Sequence, residues 1–93
     1  MQTIAVIGAG QMGSGIAQVA AASGKTVLLS DISLAVAESA RAKIEKGLMK
    51  LAERGKIPAE DAIATVSRIT PVGDYARLGE ADLVIEAATE RED

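Results

Sequence analysis

Residues 4–15 read Ile4-Ala-Val-Ile-Gly-Ala-Gly-Gln-Met-Gly-Ser-Gly15, a short apolar run that empties into glycines at Gly8, Gly10 and Gly13. Four consecutive apolar residues, three of them β-branched, predict a buried strand over Thr3–Ile7, and the glycines then hand over to a helix covering about Met12–Ser23. In such a turn Gly8 supplies the tight bend, Gly10 lets backbone approach a diphosphate with no Cβ in the way, and Gly13 permits close contact between helix and strand. The start of the helix presents unpaired backbone N–H groups and the positive end of its dipole. Glycine turns are common, so the Gly8-x-Gly10-x-x-Gly13 spacing alone is weak. Its context is what makes it specific: a second apolar run, Thr26–Ser30, follows the helix and closes on Asp31, eighteen residues beyond Gly13.

Asp31 at the carboxyl end of the second strand is placed to accept hydrogen bonds from the hydroxyls of an adenosine ribose. A 2′-phosphate there would meet like charge, and neighbouring Ser30 and Ser33 bring no basic group to offset it, so NAD is preferred to NADP. The competing reading makes Asp31 only a cap for the next helix. Within the turn, Gln11 is a candidate for contact with phosphate or water and Met12 for packing. Gly15 is open between a purely structural role, admitting close packing early in the helix, and a part in the cofactor site.

Outward from this motif the chain alternates helix and strand. Ile16, Val19 and Ala20 are expected on the sheet side of the first helix, and Gly24 with Lys25 stops it. A second helix should begin near Ser33 as cap, bury Ala37, Ala40, Ile44, Leu48 and Leu51, and leave Glu38, Arg41, Lys43, Glu45 and Lys46 on a solvated face. Gly55 ends it, and Pro58 with Glu60 and Asp61 opens a short helix to about Val66. Arg68–Thr70 reads as a third strand stopped by Pro71, Asp74–Leu78 as one helical turn, and Leu83–Ala87, introduced by Asp82, as a fourth strand. The expected architecture is an α/β, Rossmann-like doubly wound parallel sheet, incomplete, with four strands in the order third, second, first, fourth and helices on both faces. Glu86 falls in a run that looks buried and there needs a partner or a route to solvent.

Composition narrows the function classes. The 93 residues allow one domain and too little chain for a complete dehydrogenase. Tyr75 is the single aromatic residue, so the core is built from Ala, Val, Ile and Leu, side chains that let helices lie close to a parallel sheet. Thirteen acidic against ten basic residues, the latter dispersed, argue against a nucleic-acid surface. No cysteine and no histidine leave neither a thiolate nucleophile nor a conventional zinc site, and the late carboxylates Glu80, Asp82, Glu86, Glu90, Glu92 and Asp93 show no metal-binding spacing. No export signal and no membrane-spanning run is visible, so a cytoplasmic protein is expected.

Four segments carry a family resemblance: residues 4–20, Ser30-Asp31-Ile32, Arg68-Ile-Thr-Pro71 and Ala81-Asp-Leu-Val-Ile-Glu-Ala87. The sequence resembles the N-terminal NAD-binding domain of the 3-hydroxyacyl-CoA dehydrogenase family, including bacterial 3-hydroxybutyryl-CoA dehydrogenases, over essentially its whole length. The resemblance implies that the glycine turn holds the diphosphate of NAD and that Asp31 binds the adenosine ribose. It also implies that Ala87 and Ala88 lie near the cofactor and that Glu90 approaches the nicotinamide-side ribose. An intact relative would interconvert (3S)-3-hydroxyacyl-CoA and 3-oxoacyl-CoA, in fatty-acid or hydroxybutyrate metabolism, with a histidine as base. That histidine, and the helical domain for substrate and dimer contacts, have no counterpart in these 93 residues. The expectation is therefore an NAD(H)-binding portion that does not itself turn over acyl-CoA. The alternatives are a structural fragment self-associating through an exposed sheet edge, and a piece of another NAD-dependent hydroxyacid dehydrogenase.

Overall fold

The computed structural model describes residues 2–73 and 76–87. The described chain runs β1 (Thr3–Ile7), α1 (Gln11–Ala22), β2 (Thr26–Ser30), α2 (Leu34–Glu53), α3 (Ala59–Ser67), β3 (Ile69–Val72), a 3-10 helix (Ala76–Glu80) and β4 (Leu83–Glu86). All pairings are parallel and the strand order is β3-β2-β1-β4, as expected from the alternation of strand and helix signals. The chain winds outward from β1 through β2 to β3 and then crosses back to lay β4 on the other side of β1. Ligand crevices in such sheets form at the carboxyl ends of the strands, where the winding reverses.

Side chains alternate between two layers. Ile4, Val6, Val27, Leu29 and Ile69 form the main core with Ala17, Ala21, Ala40, Ile44, Leu48, Ala62 and Val66 of the three α-helices. Ala5, Leu28 and Val72 face the other way and are met by Leu78 and Ala81 around the 3-10 helix. There Arg77 pairs with Glu80 at 3.1 Å and holds the Glu80 carboxyl below the usual carboxylate range. Asp82 ties β4 to the start of β1, since its carboxylate accepts from Thr3 N–H at 2.9 Å while its own N–H donates to the Thr3 carbonyl at 2.8 Å.

Several expectations need correction. Val19 does not face the sheet; it is 71% exposed, and the buried stripe of α1 is Gly13, Ala17 and Ala21, with Ile16 and Ala20 packed at its margin. Gly13 must sit against the glycine turn, which sets the rotation of the helix and carries a residue six positions on by about 120° away from the sheet. β3 does not stop at Pro71 but runs through it to Val72, with Pro71 opposite Leu29. An edge strand tolerates proline because its outward N–H has no neighbour to serve. β4 ends at Glu86, and Glu86 is exposed rather than buried. Of the expected turn Asp74–Leu78, Asp74 and Tyr75 lie outside the described residues.

Arg41 also leaves the solvated face assigned to it. Half-buried, it donates through Nε to the Ile69 carbonyl at 2.8 Å and through Nη2 to the Val66 carbonyl at 3.2 Å, while Arg68 Nη1 donates to the Ala21 carbonyl at 2.7 Å. Val66 and Ala21 lie in the last turns of α3 and α1, where the C-cap backbone supplies only bent or short-range N–H partners (Gly24 N–H to the Ala21 carbonyl at 3.1 Å) and the arginines add a charged donor. Arg41→Ala is expected to lower stability by about 1–3 kcal/mol, since two bonds from a charged donor are lost and their acceptors stay partly buried. Urea unfolding checks it, and Lys46→Ala on the exposed face of α2 should leave the midpoint where it was.

Candidate nucleotide site

The site is assembled at the carboxyl edge of the sheet, where β1 turns into α1. Gly8 adopts φ +107°, a conformation that side-chain-bearing residues rarely take, and its N–H donates to the Ser30 carbonyl at 2.8 Å, stitching the turn to the end of β2. Gly10 is the N-cap of α1; its carbonyl accepts from Ser14 N–H at 2.8 Å, and Ser14 Oγ donates to the Ala9 carbonyl at 3.1 Å. The turn is thus held by its own backbone and by β2.

Gly13 is the residue the turn depends on most. A Cβ built there would stand 1.6 Å from the Gly8 carbonyl oxygen and 2.8 Å from its carbon, far inside contact distance. Gly10 is different, since a Cβ there would meet nothing within 4 Å; it fronts open space. Gly15 likewise fronts open space, so no packing within the described chain requires it.

The electrostatics point the same way. α1 has no side-chain cap and no acidic residue in its first turn, whereas α2 is capped by Ser33, whose Oγ accepts from Val36 N–H at 3.2 Å, and α3 carries Glu60 and Asp61 in its first turn. The first-turn N–H groups of α1 and its positive dipole end are therefore uncompensated by the protein, the condition that suits a phosphate. Gln11 and Met12 are both exposed at this end; Met12, at 61%, does not pack as the sequence suggested.

Asp31 stands beside the turn at the end of β2. Oδ2 accepts from Ala9 N–H and Oδ1 from Ile32 N–H, both at 2.6 Å. Two amide donors orient the carboxylate, and each oxygen keeps acceptor capacity for a hydroxyl. Ser33, not Asp31, caps α2, which removes the reading of Asp31 as a mere helix cap. Ala87 follows β4 at the same edge, its N–H donating to the Ile7 carbonyl at 2.8 Å. Ala88 and Glu90 lie outside the described residues.

Two features carried no signal in the sequence. Ser30 Oγ is fully buried and has no hydrogen-bond partner among the described residues, directly before Asp31. A cavity of about 580 Å³ opens beside the turn, bounded by Gly10, Gln11 and Ser14 on one side and by Val36, Ser39 and Lys43 of α2 on the other; Asp31 does not line it. Serine at a strand end and lysine on a helix are ordinary in sequence, and only the packing of α1 beside α2 creates the cavity.

A parallel sheet in the order β3-β2-β1-β4, a glycine cradle at an uncapped helix start and an oriented carboxylate at the end of the neighbouring strand define an incomplete Rossmann fold of the dinucleotide-binding class. Residues 3–93 match the family model for the 3-hydroxyacyl-CoA dehydrogenase NAD binding domain, and the chain belongs to that family. It is 50% identical over 91 residues to a 3-hydroxyadipyl-CoA dehydrogenase of Escherichia coli, covering 98% of this chain and 19% of that protein. It is 39% identical over 93 residues to a 3-hydroxybutyryl-CoA dehydrogenase of Bradyrhizobium diazoefficiens, covering 100% of this chain and 32% of the relative. Among solved structures, a 3-hydroxybutyryl-CoA dehydrogenase from Escherichia coli K12 superposes with a TM-score of 0.92 at 51% identity, over 97% of this chain and 19% of that one. One from Ralstonia eutropha gives 0.91 at 38% identity, over 100% and 33%. The chain thus spans a fifth to a third of the length of these relatives. Among the described residues no helix is long and apolar enough to cross a membrane.

Proposed function

We propose that this chain binds NAD(H) as the cofactor-holding portion of a 3-hydroxyacyl-CoA dehydrogenase. Gly8, Gly10, Gln11, Met12 and Gly13 receive the diphosphate, Asp31 the adenosine ribose, and the segment from Ala87 through Ala88 to Glu90 the nicotinamide half. The observation that carries the reading is the Gly13–Gly8 contact joined to Asp31 through Ala9 N–H: one backbone turn holds an uncapped helix start and an oriented carboxylate side by side. NAD, when bound, supplies the hydride acceptor for oxidation of a (3S)-3-hydroxyacyl-CoA to the 3-oxo form. The chain's own part is to orient the dinucleotide and to repel a 2′-phosphate from Asp31. None of its residues is a histidine, so a histidine base and the surfaces that recognise coenzyme A come from outside residues 1–93. Those residues form one partial domain that binds the cofactor without turnover.

Leu83 and Val84 of β4 are each 47% exposed, which favours a second reading in which copies of the chain associate along that edge. A paired calorimetric titration with NADH and NADPH, run beside unfolding and sedimentation in the same buffer, tests both. Saturable binding that prefers NADH is expected. Folded protein that associates with rising concentration and ignores both nucleotides would sink the cofactor reading and leave the second one.

A further inference from the structure

We infer that the cavity at the amino end of the sheet is a second ligand site, which takes a small aliphatic monocarboxylate with its carboxylate on Arg68 and Gln18. The cavity has a volume of about 410 Å³ and lies among α1, the later turns of α2, and α3. Small-molecule sites commonly enclose roughly 300–1,000 Å³. Arg68 directly precedes β3, whereas the glycine turn follows β1 at the opposite edge of the sheet. The site is therefore separate from the proposed dinucleotide site, and either can fail without the other.

The lining divides by chemistry. Leu48 and Leu51 of α2 and Ile57 of the connection to α3 supply apolar surface; Leu48 is buried and the other two are half-buried. Gln18 and Arg68, both half-buried, supply the polar part. Arg68 Nη1 donates to the Ala21 carbonyl at 2.7 Å, which fixes the guanidinium beside α1. That carbonyl already accepts from Gly24 N–H at 3.1 Å, so closing α1 does not require an arginine. The other N–H groups of the guanidinium and the Gln18 carboxamide have no hydrogen-bond partner among the described residues. Thr65 offers no donor to the cavity, because its hydroxyl donates to the Asp61 carbonyl at 2.8 Å.

A guanidinium presents paired donors that match the two oxygens of a carboxylate, and partial burial strengthens the attraction. The apolar side chains can then cover a short hydrocarbon tail. Asp61 also lines the cavity, but it is exposed, and Arg77–Glu80 is the only ion pair among the described residues, so Arg68 is not neutralised by Asp61. One guanidinium with one carboxylate nearby favours a ligand carrying a single negative charge over a dianion.

The test titrates the 93-residue chain with hexanoate, and in parallel with butyrate and hexylamine, while backbone amide resonances are followed by NMR. Hexanoate is expected to saturate with a Kd on the order of 1 mM and to shift the amides of Ile57, Ala64 and Arg68. Each methylene removed should weaken binding about fourfold, and hexylamine should bind at least tenfold more weakly than hexanoate. Gln18→Glu sets a carboxylate of the protein's own beside the guanidinium and should weaken hexanoate at least tenfold with little change in the urea midpoint. Arg68→Gln should do the same; if it unfolds the chain, Gln18→Glu carries the test. The assignment is overturned if hexanoate leaves these resonances of the folded parent unmoved, if hexylamine binds there as well as hexanoate, or if Gln18→Glu binds hexanoate within twofold of the parent.

Discussion

Gly13→Ala is expected to lose at least about 3 kcal/mol of stability and all measurable NADH binding. The new Cβ would lie 1.6 Å from the Gly8 carbonyl oxygen, and both partners are backbone, so no rotamer change relieves the overlap. Either α1 lifts off β1 or the turn at Gly8 opens. The first uncovers Ala17 and Ala21, and the second breaks the bond from Gly8 N–H to Ser30. A domain of this size has a margin on the order of 5–14 kcal/mol, so the loss is a large share of it. Urea unfolding with a circular-dichroism readout measures the change. Gly15→Ala is the paired control: a Cβ there meets nothing within 4 Å, and relief of a helical glycine should raise stability by about 0.5–1 kcal/mol. Equal behaviour of the two alanine variants would falsify the account of the turn.

Asp31→Ala is expected to cost about 10²-fold in NADH affinity and to erase the preference for NADH over NADPH. Two contributions add. The ribose loses a charged acceptor, and Ala9 N–H, which belongs to a buried residue, loses the partner that holds the glycine turn against β2. NADPH should suffer less, because the variant also removes the negative charge facing a 2′-phosphate. Asp31→Asn separates these effects. It keeps the shape but can offer its one oxygen to either Ala9 or Ile32, while its amide group faces the other N–H donor. An unchanged ratio of NADH to NADPH affinity in Asp31→Ala would remove Asp31 from cofactor selection and leave it as a brace for the turn.

How legible these features were in sequence depended on whether their cause is local. The glycine cradle, the cap at Ser33, the stops at Gly24 and Gly55 and the entry of α3 at Pro58 follow from backbone preferences within a few residues, and the structure places each where the pattern did. Arg41 was not legible, because its acceptors on Val66 and Ile69 lie twenty-five and twenty-eight residues away and exist only once α3 and β3 have docked. Val19 was misjudged for a related reason. Hydrophobicity alone puts Val19 inward, but the steric demand of Gly13 against Gly8 rotates α1 and brings smaller residues to the sheet.

By itself the sequence determined the succession of strands and helices, their parallel winding and the positions of the glycine turn and of Asp31, because periodicity, glycine placement and strand-end position are written along the chain. Only the tertiary structure decided which groups those residues meet: Asp31 bound to Ala9, Ser30 Oγ buried with no hydrogen-bond partner among the described residues, Ile32 exposed, and a cavity between α1 and α2. Each is a relation between segments that a one-dimensional pattern does not contain. Close packing of helices on the sheet sets them, and the packing is determined by the whole core at once.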